Sequence, residues 1–229
     1  MMAEHPNATP ETLAAALADE LRQAIAARGQ ATLAVSGGKS PIALFEQLRS
    51  QPLDWSRVAV LLVDERCVAH DHPDSNTALV RQHLLQDAAA AARFVALFDE
   101  LPTPLDAQAL QTLVDQANRR LGALTFPLDV VVLGMGEDGH TASLFPAAPG
   151  LEHALSSPGP VACVRPTTAP HARLTLTLPV LLAARRLHLP LAGEKKREVY
   201  VAARQQADKA LPISLLLNNP ACEVQVWLA

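Results

Sequence analysis

The chain has 229 residues, 49% hydrophobic but only 3% aromatic, so it can bury a sizeable core built mainly from Leu, Val and Ala. A formal net charge of −4 argues against general nucleic-acid binding, yet leaves room for a small anionic ligand met by local basic groups. Residues 1–10 lack a basic segment followed by an apolar core, and no stretch reaches the ~18 uncharged apolar residues of a membrane span. Cys67, Cys163 and Cys222 are scattered, with neither disulfide nor metal-ligand spacing, which fits a reducing compartment and predicts a cytoplasmic protein that contacts no membrane.

In chain order, Thr9, Pro10 and Glu11 read as an N-cap, a proline at the first helical position and an acid in the first turn. Leu13, Leu17, Leu21 and Ile25 then recur every four residues up to Gly29, a fitting C-terminal stop. Residues 32–35 form an apolar run that ends in Ser36-Gly37-Gly38-Lys39-Ser40-Pro41, and helical spacing resumes over 42–48. The same alternation repeats: a strand over 58–63, a polar loop over 64–75, helices over 76–85 and 106–121, and a strand over 128–133. Strands over 173–178 and 186–191, a helix over 193–204 and a last strand over 223–228 complete the pattern. Apolar strands alternating with helices imply an α/β fold with a mainly parallel sheet covered on both faces, organised as one domain over 1–229.

Four loops carry chemistry. The Ser36–Ser40 stretch frees backbone N–H groups at a helix start, which makes an anion site of Gly37, Gly38, Lys39 and Ser40; the plainer explanation is a tight turn with Ser40 as N-cap and Pro41 after it. Asp64, Glu65 and Arg66 follow a strand directly, and charges there are costly if buried without partners; a solvated local ion pair is the ordinary alternative. Leu133-Gly134-Met135-Gly136-Glu137-Asp138-Gly139-His140 runs from a strand into glycines, acids and a histidine, the residue best suited to proton transfer near neutrality. Here too a simple turn with a capping histidine competes. Arg173 opens a strand, and Lys196 lies in the first turn of a helix, where a cation opposes the dipole unless something anionic compensates.

Together, Ser36-Gly-Gly, Asp64-Glu65-Arg66 with Asn76, Gly134-x-Gly-x-Asp138-Gly-His140-Thr-Ala-Ser-Leu-Phe-Pro146, Arg173-x-Thr-x-Thr-x-Pro179 and Gly193-x-x-Lys196 resemble the 6-phosphogluconolactonases over essentially the whole chain. The resemblance implies a modified Rossmann-like fold shared with glucosamine-6-phosphate deaminases. It implies hydrolysis of 6-phospho-D-glucono-1,5-lactone in the oxidative pentose phosphate pathway, with no metal and no organic cofactor. By position, it implies His140 as general base with Asp138 beside it. Gly37, Gly38, Arg173 and Lys196 then hold the phosphate, and Asp64, Glu65, Arg66 and Asn76 line the sugar and lactone end. Lys39-Ser40 departs from the family's usual pair of hydroxyl residues after the glycines. In the deaminases a glutamate precedes the closing proline; here that position is Phe145. A sugar-phosphate-binding regulator is the non-enzymatic alternative, but no added basic domain accompanies the loops. The expected partner is a small sugar phosphate lactone and not nucleic acid. No apolar surface helix demands a dimer, so a monomer or small homo-oligomer is expected.

Within the chemistry, Arg66 is the candidate to stabilise a developing oxyanion, and either Asp138 or Asp64 could orient His140. No Gly-x-Ser-x-Gly elbow offers a serine nucleophile.

Overall fold

The structure is a computed structural model that describes residues 2–229. The N-terminal helix α1 spans Pro10–Arg28, and its start is set by the residues read from the sequence. The Thr9 hydroxyl accepts from Thr12 N–H at 3.3 Å, the Thr12 hydroxyl accepts from Thr9 N–H at 3.0 Å, and Gly29 ends the helix at φ +78°. Before it lies a strand the sequence did not advertise, β1 (Met2–Pro6), only partly buried because it forms an edge of the sheet.

The remaining strands of the main sheet are β2 (Ala31–Val35), β3 (Val58–Leu62), β5 (Arg93–Val95), β6 (Val130–Val132), β9 (Arg186–Leu191) and β10 (Val224–Leu228). They assemble with β1 in the order β1-β10-β9-β6-β2-β3-β5, and every pairing is parallel. Parallel strands need apolar residues on both faces. Accordingly Leu33, Val35, Val60, Leu62, Val130 and Val132 pack into one core with α1 and α2 (Ile42–Arg49). Ala34, Leu61, Val131 and Leu133 alternate into the opposite core with α4 (Ala107–Leu121). From β2 the chain winds outward to β3 and β5, and from β6 it winds the other way to β9 and β10. The switch point between β2 and β6 is where such sheets open a crevice at their C-terminal ends.

A second sheet corrects the sequence reading. The loop expected over 64–75 begins with a strand, β4 (Asp64–Arg66), and the strand expected over 173–178 is β8 (Arg173–Leu176), outside the main sheet. With β7 (Val161–Val164) they form an antiparallel sheet in the order β4-β8-β7. Leu178–Ala183 is a short helix, α6, with Pro179 in its first turn. The α2 start is also corrected: Ser40 does not cap it, Pro41 occupies the N-cap position and no side chain bonds there. Between these elements lie α3 (Asn76–His83) and α5 (Leu151–Ser156); α7 (Glu194–Ala203) and α8 (Ser214–Leu217) follow β9. No described helix is long and apolar enough to cross a membrane.

Candidate active site

A cleft of about 390 Å³ opens at the switch point. Ser36, Gly37, Gly38 and Ser40 line it beyond β2, Leu133, Gly134, Met135, Gly136 and His140 beyond β6, and Leu191 and Lys196 around the end of β9 and the start of α7. Thr9 and Pro10 bring the start of α1 to the same wall. The N-terminal ends of α1, α2 and α7 therefore converge on one crevice, each bringing a partial positive charge, and neither α2 nor α7 has a side-chain cap.

The second sheet supplies the charged wall by simple alternation. On β4, Asp64 and Arg66 are two apart and share a face, while Glu65 points the other way. Across the ladder Asp64 faces Thr175 and Arg66 faces Arg173. Asp64, Arg66 and Arg173 line the cleft and Glu65 does not. Two arginines directly opposite each other repel. Part of the compensation is local: Arg66 Nη1 donates to the Asp74 carbonyl at 2.7 Å, and Arg173 Nη1 lies 4.0 Å from Asp64 Oδ2. Burial pulls the Arg173 guanidinium below its ordinary pKa, Asp64 opposes that fall and Arg66 adds to it. The Nε–H groups of both arginines are buried and have no partner among the described residues, the condition of donors that await an anion.

Glu65 has a different task from the one the resemblance implies. Its carboxylate is 1% exposed and accepts from the N–H groups of Arg66, Asn76 and Thr77 at 2.7–2.8 Å and from the Ser75 hydroxyl at 3.3 Å. It caps the start of α3 and ties it to β4. Asn76, so placed, donates from Nδ2 to the Asp64 carbonyl at 2.8 Å, and its buried Oδ1 has no partner among the described residues. Gly37 permits this approach, since a Cβ there would sit 1.8 Å from Asn76 Oδ1. Gly38 sits at φ +85°. Lys39 is exposed and does not line the cleft, whereas Ser40 does.

The histidine segment is a tight loop pinned to both sheets. Gly136 N–H donates to the His140 carbonyl at 2.9 Å, Gly139 N–H to the Gly136 carbonyl at 3.1 Å, and Gly139 adopts φ +77°. This turn folds Asp138 back onto the histidine: Asp138 Oδ1 lies 2.5 Å from His140 Nδ1 and accepts from the His140 N–H at 3.1 Å. Burial opposes ionisation of Asp138, but the His140 N–H and imidazole outweigh it and hold the carboxyl below its ordinary value. Of the two carboxylates that could orient the histidine, Asp138 is the one in place. Asp64 instead accepts from the Ser143 hydroxyl at 2.5 Å. A carboxylate on Nδ1 calls for the tautomer with its proton there, which leaves Nε2 as the basic nitrogen. The imidazole stacks on Phe145, centroids 4.0 Å apart, and the Arg173 guanidinium lies 5.0 Å over the same ring.

Three residues escaped the sequence reading. Ser143 lies inside the motif, and its hydroxyl among apolar neighbours was the available signal. It ties the histidine loop to β4 through Asp64 and to β8 by donating its N–H to Thr175 at 3.2 Å. Ser36 is the corresponding tie to the main sheet, donating to the Val132 carbonyl at 3.0 Å and accepting from Gly134 N–H at 2.8 Å. Trp227 also lines the cleft; its indole N–H donates to His188 Nδ1 at 3.0 Å and His5 stacks on it at 4.1 Å.

A parallel sheet with a crevice at its switch point, lined by arginines, a lysine and a histidine backed by a carboxylate, defines an α/β enzyme for a small anionic substrate. The family model described as glucosamine-6-phosphate isomerases/6-phosphogluconolactonase matches residues 4–227, and the chain belongs to that family. It is 46% identical over 211 residues to a 6-phosphogluconolactonase of Pseudomonas aeruginosa, covering 91% of this chain and 86% of the relative. A Neisseria meningitidis 6-phosphogluconolactonase is 40% identical over 230 residues, 99% of this chain and 97% of the relative. The crystal structure of a 6-phosphogluconolactonase from Shewanella baltica superposes with a TM-score of 0.91 at 40% identity, covering 100% of this chain and 97% of that one. A monomeric glucosamine-6-phosphate deaminase shares the fold at 18% identity and a TM-score of 0.75.

Proposed function

We propose that the protein hydrolyses 6-phospho-D-glucono-1,5-lactone to 6-phosphogluconate in the oxidative pentose phosphate pathway, with His140 as general base. The observation that carries this reading is His140, on the wall of a cleft that also holds Arg66, Arg173 and Lys196, with Asp138 Oδ1 2.5 Å behind it on Nδ1. His140 Nε2 takes a proton from water as the water attacks C1 of the lactone. The charge that develops on the carbonyl oxygen is met by Arg66. As the tetrahedral intermediate collapses, the imidazolium returns its proton to the ring oxygen, so the histidine ends as it began. Asp138 holds the ring in the required tautomer and stabilises the transient cation. Arg173, Lys196 and the N–H groups of Gly37 and Gly38 bind the phosphate, and this remote binding fixes C1 against the base. Asp64 and Asn76 line the sugar end.

Phe145 supports a hydrolase over a deaminase. The position next to the closing proline puts a phenyl ring, not a carboxylate, against His140, so no acid stands there to open a sugar ring. Every group named comes from one chain, so a monomer is sufficient for the chemistry, and a cytoplasmic location fits three cysteines scattered along the sequence without disulfide spacing. The test is a pH-stat or coupled assay on freshly made lactone, read against its unaided opening. Acceleration proportional to enzyme is expected. Ammonia release from glucosamine 6-phosphate with no lactone hydrolysis overturns the reading.

A further inference from the structure

We propose that His72, Asp74 and His171 form a binding site for a divalent cation of the zinc type, which clasps together the two loops that present the cleft arginines. His72 and Asp74 lie between β4 and α3, and His171 lies in the turn before β8. One ligand atom from each falls within 4.8 Å of the other two. Asp74 Oδ2 lies 3.1 Å from His171 Nε2 and 3.9 Å from His72 Nδ1. Ligands around tetrahedral zinc sit roughly 3.3 Å apart, so the Asp74–His171 edge is formed already, the Asp74–His72 edge closes with a side-chain shift of roughly half an ångström, and the two imidazole nitrogens close from within 4.8 Å.

The donor chemistry selects the ion. Two imidazoles and one carboxylate suit zinc, cobalt or nickel, whereas magnesium and calcium want an all-oxygen shell. Asp74 supplies the anion at neutrality as any aspartate does, and ion binding displaces the His171 proton from Nε2, where it now faces Asp74 Oδ2 at 3.1 Å, to Nδ1 or to solvent. His72 Nδ1 accepts the Asp74 N–H at 3.0 Å, so its lone pair is free of a proton and an ion replaces only a weak local bond. The side chains are 43%, 49% and 28% exposed, which gives an ion an open path and leaves a fourth position for water.

The site is separate from the histidine loop but linked to the charged wall. The Asp74 carbonyl holds Arg66 Nη1, and His171 precedes Arg173 by two residues. A bound ion joins the β4–α3 loop to the β7–β8 turn outside the cleft, whose lining includes none of the three ligands. The proposal concerns binding, not turnover, and stands or falls independently of the lactonase reading.

The experiment is calorimetric titration of chelator-treated full-length protein with zinc chloride, with cobalt absorption in the visible as a second reading of the ligand set. One equivalent is expected with a dissociation constant below about 100 µM. His72→Ala and His171→Ala should each weaken it at least about tenfold, the loss that even an outer-shell partner causes, while leaving the melting temperature in chelator unchanged. Slowed amide exchange in residues 67–75 and 166–172 on zinc addition completes the expected result. No saturable binding below about 100 µM, or binding removed by His140→Ala and kept in His72→Ala, overturns the proposal.

Discussion

At the cleft, the parallel sheet offers turns and backbone N–H groups from Gly37, Gly38, Gly134 and Gly136, while the antiparallel sheet offers the side chains of Asp64, Arg66 and Arg173. The cause is burial. Strands of the large sheet have apolar cores on both faces, so β2, β3 and β6 are entirely buried aliphatic or small residues apart from Thr32, and polar chemistry must wait for the loops beyond their ends. The small sheet turns one face to the cleft, so residues two apart along β4 reach it together while the one between them serves the scaffold. One region builds a site by ending its strands, the other by alternating along them. The histidine loop belongs to both, tied through Ser36 on one side and Ser143 on the other.

If that division is right, the largest effect comes from the loop that joins the two sheets. His140→Asn is expected to lower kcat by about 10²–10⁴ with little change in KM, measured by coupled assay. Near-normal turnover breaks the base assignment. Next come the charged walls. Arg173→Ala and Lys196→Ala should each raise KM about 10–100-fold for the phosphorylated lactone, the worth of a charge-assisted hydrogen bond, and leave an unphosphorylated lactone unaffected. Equal losses on both substrates would remove the phosphate role. The alternation argument is sharpened by Glu65→Ala, which strips three backbone N–H groups of their acceptor. Stability in urea should fall by about 1–3 kcal/mol, whereas a residue that only touched substrate would change KM and leave stability alone.

The smallest effect tests the far edge of the large sheet. The Tyr200 hydroxyl donates to Glu4 Oε1 at 2.6 Å and Arg204 Nη1 donates to the same oxygen at 2.7 Å, fastening β1 to α7. Burial, then the contact with Glu4, pushes the phenol up from its ordinary range to about 12. Its contribution to stability is therefore complete below about pH 10 and lost as pH rises through about 12. Melting temperature followed over that window should fall in the parent protein and fall less in Tyr200→Phe.

The large sheet was largely legible in the sequence because its elements repeat one pattern, an apolar run, a glycine or acid, then a helix with its own start signals. The small sheet was not, because β4 is three charged residues that read as loop, which left the strand expected over 173–178 to be placed in the large sheet. Pairing between them is decided by contacts more than a hundred positions apart along the chain, which local pattern cannot express. The site shows the same divide. His140, Arg66 and Arg173 could be named from residue type and motif. The capping role of Glu65 and the choice of Asp138 over Asp64 depended on which way a strand faces and on a left-handed turn at Gly139.

The indole at the end of β10 gives the molecule an optical voice. The chain has two tryptophans: Trp55 is 2% exposed in the core, and Trp227 borders the cleft with its N–H bound to His188. Filling the cleft should change the emission of one while the other stays constant. Occupancy can thus be followed in the unlabelled protein, by fluorescence, with product or a slow analogue that gives no turnover signal at all.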